Sequence, residues 1–141
     1  GDALLTRGLA VLAEARRSAA VGPLLRELGA AAGSLGMVGG QVLDLESEGR
    51  RLDETSAALL RRIHLGKTAA MIRAAAAMGA IAAGADEASV VALRSYGERV
   101  GLAFQIADDV LDVTGSAAEL GKTPGKDREQ GKLTYVAALG L

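Results

Sequence analysis

The segment from Ala69 to Ala85 reads AAMIRAAAAMGAIAAGA, a helix-length run of small side chains interrupted by one charge, Arg73. Alanine carries the smallest helix penalty of any residue and lets helix backbones approach each other closely. Alanine and glycine make up about a third of the chain, only 2 residues are proline, and no stretch alternates apolar and polar side chains as a strand would. The sequence therefore predicts an all-α fold of closely packed helices.

Capping residues predict the helices around this segment. Asp53-Glu54-Thr55 can cap a long helix that runs from about 56 to 83, and Asp86-Glu87 can open another that ends near 113. After the glycine-rich stretch 115–131, a last helix is predicted to start near Lys132.

Three further helices are predicted upstream. The first ends near Arg17 and carries a stripe of leucines with the spacing of a buried face, namely Leu5, Leu9 and Leu12. The pair Gly22-Pro23 is expected to break the chain and to start the second helix at Pro23, because proline suits a first helical position. The third runs from Met37 to about Glu48, where Gly49 ends it.

Composition excludes several classes of protein. The 141 residues hold 16 basic and 17 acidic side chains, for a net charge of -1, and 2% are aromatic, so nucleic acid is not an expected partner. With 0 Cys and 1 His, any metal must be held by oxygen ligands. No signal peptide is visible and the alanine-rich segment carries too little hydrophobicity for a membrane span, so a cytoplasmic, non-transmembrane protein is expected.

An acidic stripe is the most specific chemical feature. In the run FQIADDVLD at 104–112, Asp108 and Asp112 lie one helical turn apart, and Gln105 and Asp109 flank them on the same face. Three neighbouring carboxylates repel one another, and a divalent cation such as Mg²⁺ relieves that repulsion. The alternative interpretation is a solvated acidic patch near a helix end.

The lysines are clustered, although the chain uses arginine as its ordinary cation, with 12 Arg and 4 Lys. Lys67 precedes Thr68 inside the long helix, and the other three lie in or beside the glycine-rich stretch, namely Lys122, Lys126 and Lys132. Lysine presents a compact charge that suits phosphate oxygens. The pattern favours a site for Mg²⁺ and a diphosphate, with chance clustering in a polar loop as the alternative.

Two weaker features accompany it. Gln41 and Asp44 lie one turn apart on an otherwise apolar helix, so they either face an internal cavity or serve as local caps. His64 precedes Lys67 by three residues, and a lone histidine on a helix is more often a structural hydrogen bonder than a catalytic base.

Four elements stand in the order and spacing of one enzyme family. They are GMVGGQxxD at 36–44, GKT at 66–68, FQIxDDxxD at 104–112 and GKxxGKDxxxxK at 121–132. With them the chain resembles the second half of trans-isoprenyl diphosphate synthases, of the bacterial farnesyl and geranylgeranyl type. The resemblance implies an incomplete isoprenoid synthase bundle around a central cavity, with residues 1–141 as the second half of one catalytic domain.

The resemblance also implies an activity. Such enzymes condense an allylic diphosphate with isopentenyl diphosphate, with Mg²⁺ assisting ionisation, and are usually homodimers. It implies Mg²⁺ binding by Asp108 directly and by the other acidic positions directly, through water or in support, namely Asp109, Asp112 and Asp127. It assigns Lys67, Thr68 and Gln105 to catalysis. Substrate binding falls to Lys67, Lys122, Lys132, Gln41 and Asp44.

This sequence departs from the family pattern in one respect. A first Asp-rich motif and the basic residues that bind isopentenyl diphosphate stand upstream in the family and are not among these 141 residues. The chain is therefore expected to belong to a longer enzyme and to be inactive alone. The alternatives are a non-catalytic partner subunit of a prenyl diphosphate synthase, or a terpene cyclase.

Overall fold

The computed structural model describes residues 2–115 and 132–139, apart from the side chain of Asp2. Every regular element in these ranges is helical, which confirms the predicted all-α class. In chain order they are α1 (Asp2–Ala13), α2 (Ser18–Ala32), α3 (Met37–Ser47), α4 (Ser56–His64), a π-helical segment (Leu65–Ala69), α5 (Ala70–Ala83), α6 (Glu87–Thr114) and α7 (Tyr135–Leu139). None of the described helices is long and apolar enough to cross a lipid bilayer.

Small residues bring α5 and α6 together, as the alanine-rich segment predicted. Ala74 and Ala77 of α5 are buried, and α6 lies along α5 and the π-helical segment. A Cβ on Gly101 would stand 2.5 Å from the Cα of Ala69, and one on Gly97 would stand 2.8 Å from the Cα of Arg73. Only glycine, which has no Cβ, allows backbones to come this close. Gly97 and Gly101, one turn apart on α6, therefore set the distance of α6 from the preceding helix.

The long helix predicted over 56–83 has the expected ends but is not uniform. Its middle, Leu65–Ala69, is π-helical, and π-helical turns inside α-helices are frequent at functional sites. Here α3 crosses it at backbone contact distance, since a Cβ on Gly40 would lie 2.2 Å from the backbone nitrogen of Lys67. This crossing brings α3 against Lys67.

The crossing makes a stability prediction. Gly40→Ala should lower the free energy of unfolding by about 1–3 kcal/mol, because the new methyl group meets backbone atoms that cannot rotate away. Gly79→Ala on α5 is the matched control, since a Cβ there meets nothing within 4 Å, and it should stabilise slightly. Denaturant unfolding of both variants measures the difference in the free energy of unfolding. A Gly40→Ala variant as stable as Gly79→Ala would contradict the close approach of α3 to Lys67.

The break between the first two helices was predicted wrongly. Helix α1 ends at Ala13 instead of near Arg17, and α2 already begins at Ser18, with Pro23 inside it. The helix is interrupted over 14–17, and Arg17, the residue before α2, has an extended backbone and a guanidinium that donates to the carbonyl oxygen of Ala83 at 3.2 Å. A contact with the end of α5 thus accompanies the helix break that was expected at the Gly22-Pro23 pair.

The predicted buried stripe on α1 is only partly covered. Leu5 and Leu12 are half-buried, while Leu9 is 42% exposed. Within the described ranges α1 packs chiefly against α2, and a single neighbour cannot cover a stripe of three leucines.

Candidate functional site

A small cavity of about 140 Å³ lies where α3, α4, the π-helical segment, α6 and the stretch before α7 meet. Most of the residues that line it are polar. The lining residues are Asp44, Ile63, His64, Lys67, Gln105, Asp108, Asp109, Lys132, Leu133 and Thr134. Residues from distant parts of the chain that the sequence assigned to one site therefore share one cavity.

The ion pair between Lys67 and Asp44 closes one side of this cavity. Lys67 Nζ donates to Asp44 Oδ2 at 2.5 Å, and the Asp44 side chain is only 11% exposed. A buried carboxylate is costly unless it is paired, so the lysine offsets the burial of Asp44. Of the two interpretations left open for Asp44, the cavity position is the observed one. Gln41 is half-buried on α3 and is not among the described lining residues.

A second polar contact joins the π-helical segment to α6. Thr68 Oγ1 donates a hydrogen bond to Gln105 Oε1, across 37 residues of sequence. The hydroxyl of Thr68 is thereby oriented toward α6, next to the lysine that precedes it. The close approach of α6 at Gly101, one turn before Gln105, accounts for the short reach between the two helices.

The acidic stripe of α6 divides between two cavities. Asp108 is half-buried and lines the small cavity with Lys67 and His64. Asp112 is 3% exposed and lines a neighbouring cavity of about 330 Å³, and Asp109 is 6% exposed and borders both. The alternative of a solvated acidic patch is therefore wrong for Asp109 and Asp112.

Half of the side chains that line the small cavity carry oxygen atoms, the ligands that Mg²⁺ prefers. Among the described residues no three acidic or histidine side chains form a ready metal-binding group. Mg²⁺ typically takes one or two carboxylates and completes its shell with water and substrate phosphates. The half-buried carboxylate of Asp108, which lines the cavity together with Lys67, fits that mode of binding.

The imidazole ring of His64 is buried and packs against the ring of Tyr135. It is 6% exposed, its ring centroid lies 5.2 Å from that of Tyr135, and its Nε2 is 3.9 Å from Asp109 Oδ2. Nδ1 is buried without a hydrogen-bond partner among the described residues, so this nitrogen does not make the expected structural hydrogen bond. Burial lowers the pKa of His64 to about 4, and Lys67 adds to this effect while Asp44 and Asp108 oppose it. The imidazole is therefore neutral at pH 7.

The chain after the glycine-rich stretch contributes residues that sequence reasoning missed. Leu133 and Thr134 line the cavity beside Lys132, and the ring of Tyr135 covers His64. The predicted helix start near Lys132 is corrected to Tyr135, whose backbone N–H donates to Asp109 Oδ2 at 2.8 Å. The sequence signal for this contribution was the apolar Leu133 and the aromatic Tyr135, which follow Lys132. Lys122, Lys126 and Asp127 lie outside the described residues.

Comparison with protein families and known proteins points in one direction. The family model described as "Polyprenyl synthetase" matches residues 1–141. The chain is 44% identical to farnesyl diphosphate synthase of Escherichia coli (strain K12), over 100% of this chain and 48% of that protein. It is 45% identical to the chloroplastic heterodimeric geranylgeranyl pyrophosphate synthase large subunit 1 of Arabidopsis thaliana, over 100% of this chain and 39% of that protein.

Solved structures agree with the sequence relatives. A geranyltransferase from Helicobacter pylori, complexed with magnesium and isoprenyl diphosphate, superposes with a TM-score of 0.87 at 38% identity. The match covers 100% of this chain and 46% of that one. The chain thus spans less than half the length of these relatives.

Proposed function

Because the chain belongs to the polyprenyl synthetase family, we propose that it forms part of a prenyltransferase that condenses an allylic diphosphate with isopentenyl diphosphate. The observation that carries this proposal is the cavity that Lys67 and Asp108 both line, so that a cation and a carboxylate border the same space. Breaking an allylic carbon–oxygen bond leaves negative charge on diphosphate, and preorganised cations stabilise that charge best. The relatives named as synthases do not favour a terpene cyclase or a non-catalytic subunit.

The proposed roles follow the geometry. Lys67 releases Asp44 and binds the allylic diphosphate. Its ammonium group needs little movement to do so, because it already lies at the cavity wall. Lys132 lines the same cavity and adds a second cation. Gln41 and Lys122 keep the substrate-binding roles that the family pattern implies for them.

The hydrogen-bonded pair Thr68 and Gln105 would stabilise the allylic cation. Thr68 donates a hydrogen bond to Gln105, so the lone pairs of the Thr68 hydroxyl oxygen are available to face positive charge. The pair lies beside Lys67, so the cation would form next to the departing diphosphate. Electrostatic stabilisation of this kind needs oxygen dipoles that are fixed before the reaction.

Mg²⁺ is the proposed cofactor, and when bound it would neutralise charge on the leaving diphosphate. Asp108 is the proposed direct ligand, because it is the half-buried carboxylate of the stripe and lines the cavity with Lys67. Asp109, Asp112 and Asp127 are proposed to support the ion directly or through water, as the family pattern implies.

We further propose that residues 1–141 are the second half of a longer catalytic domain. The first relatives are at least twice as long as the matched region, which supports this proposal. The exposed apolar side chains of α6, such as Phe104 at 58% and Val100 at 38%, suit burial against further protein. A cytoplasmic homodimer is the proposed state of the intact protein, and a chain with 0 Cys needs no oxidising compartment.

Prenyl transfer by purified protein tests the function. The full-length protein that carries this sequence should convert labelled isopentenyl diphosphate and an allylic diphosphate to a longer prenyl diphosphate, and chelation of Mg²⁺ should abolish the product. Failure of the folded protein with geranyl, farnesyl and dimethylallyl diphosphates would overturn the proposal.

The 141-residue chain alone should give no product in the same assay, because Mg²⁺ loses its water shell only where several oxygens are prearranged. Condensation by this chain alone would overturn the half-domain proposal and leave the proposed activity intact.

A further inference from the structure

Three contacts that join the stretch 132–139 to the site are of interest here. Leu133 is 6% exposed and packs with Leu60 and Ile63 of α4. The ring of Tyr135 lies against that of His64. The backbone N–H of Tyr135 donates to Asp109 Oδ2 at 2.8 Å, across 26 residues of sequence.

The third contact uses a carboxylate of the acidic stripe. The first amides of a helix have no partner within the helix, and a carboxylate that accepts from one of them acts as a cap. Asp109 does this for α7 from another helix, and it is 6% exposed. Asp108, its neighbour in sequence, is half-buried and lines the cavity with Lys67. Adjacent acidic residues therefore have different surroundings.

We propose that Asp109 is a positioning residue, which holds the amide of Tyr135 and so keeps Lys132 at the cavity that Lys67 and Asp108 line. Lys132 stands only three residues before Tyr135, and Leu133 between them is anchored as well, so the lysine has little freedom once the amide is held. The role of Lys132 rests on the proposed function, whereas the anchoring of 132–139 does not. Asp109 thereby has an anchoring task in addition to the support of the metal that is proposed for it.

Two substitutions at Asp109 separate anchoring from metal binding. The side-chain carbonyl of Asp109→Asn can still accept from the Tyr135 amide but brings no negative charge to a cation. Asp109→Ala removes the acceptor and the charge together. An anchor tolerates asparagine, and a charged metal ligand does not.

Hydrogen exchange in the metal-free full-length protein tests the anchor directly. Asp109→Ala should speed exchange of the peptide over 133–139 by about 10-fold or more, the effect of losing a hydrogen bond to a charged group. Asp109→Asn and the control Asp108→Asn should leave that peptide within about threefold of the wild type. A peptide from α5 reports whether each variant keeps its fold.

Kinetics then test the consequence for the site. Asp109→Ala should raise the KM of the allylic diphosphate several-fold above that of Asp109→Asn, because only asparagine keeps an acceptor for the Tyr135 amide. Asparagine with unchanged exchange but a KM as high as that of alanine would overturn the inference, because the anchor would then have no effect on substrate binding. Unchanged exchange in Asp109→Ala would also overturn it. Absence of prenyl transfer in the wild type would defeat the proposed function while the exchange experiment still decides the anchor.

Discussion

Replacing Asp108 by alanine in the full-length protein should lower kcat for prenyl transfer by about 10²- to 10³-fold with little change in melting temperature. Asp108 is half-buried and lines the small cavity with Lys67, so its loss removes the carboxylate proposed to hold Mg²⁺. Neighbouring carboxylates on one helical face repel each other, so removing one relieves repulsion in the metal-free protein. Steady-state kinetics over a Mg²⁺ titration and thermal unfolding without metal measure the two effects.

The matched control is Glu46→Ala, which removes a carboxylate from an exposed position on α3. It should change neither kcat nor the Mg²⁺ dependence. A melting temperature of Asp108→Ala that falls in step with its activity would mean that Asp108 supports the fold, and the assignment of a functional carboxylate would fail.

Helix ends set by neighbouring residues could be predicted from the sequence. The third helix was expected from Met37 to about Glu48 and is observed over Met37–Ser47. Asp86 was expected to open the following long helix, and its Oδ1 accepts from the backbone N–H of Ser89 at 2.8 Å. Both signals depend on residues within one turn of the helix end, so the local sequence is enough to predict where these helices begin or end.

Features that depend on distant contacts could not be predicted. The break before α2 covers 14–17, and its last residue, Arg17, contacts Ala83, 66 residues away. The π-helical form of Leu65–Ala69 occurs where α3 crosses at Gly40. A pattern of propensities along one segment carries no information about which backbone will press against it.

The same distinction applies to the site. Lys67 and Thr68 are adjacent in sequence, but their hydrogen-bond partners are 23 and 37 residues away, and spacing along one helix cannot predict these two contacts. The periodicity of α6 placed the acidic residues on one face, yet it could not show that Asp109 contacts Tyr135. Burial by a later segment, rather than helical spacing, differentiates the carboxylates.

Substituting Lys67 by alanine should raise the KM of the allylic diphosphate by roughly 10- to 100-fold and leave that of isopentenyl diphosphate nearly unchanged. The ammonium group of Lys67 lies at the cavity, 2.5 Å from Asp44 Oδ2, and its side chain is 32% exposed, so it can exchange the carboxylate for a phosphate oxygen. Initial rates with each substrate varied in turn measure the two constants. Arg99→Ala, which removes a positive charge from an exposed position on α6, should change neither.

Loss of Lys67 also leaves Asp44 buried without its cation, which by itself should lower stability. The double variant Lys67→Ala with Asp44→Asn separates the two effects, because the neutral amide no longer needs the lysine. We expect the double variant to recover melting temperature while the KM of the allylic diphosphate stays high. Recovery of both together would mean that Lys67 serves only to neutralise Asp44, and an effect confined to isopentenyl diphosphate would assign the lysine to the other substrate.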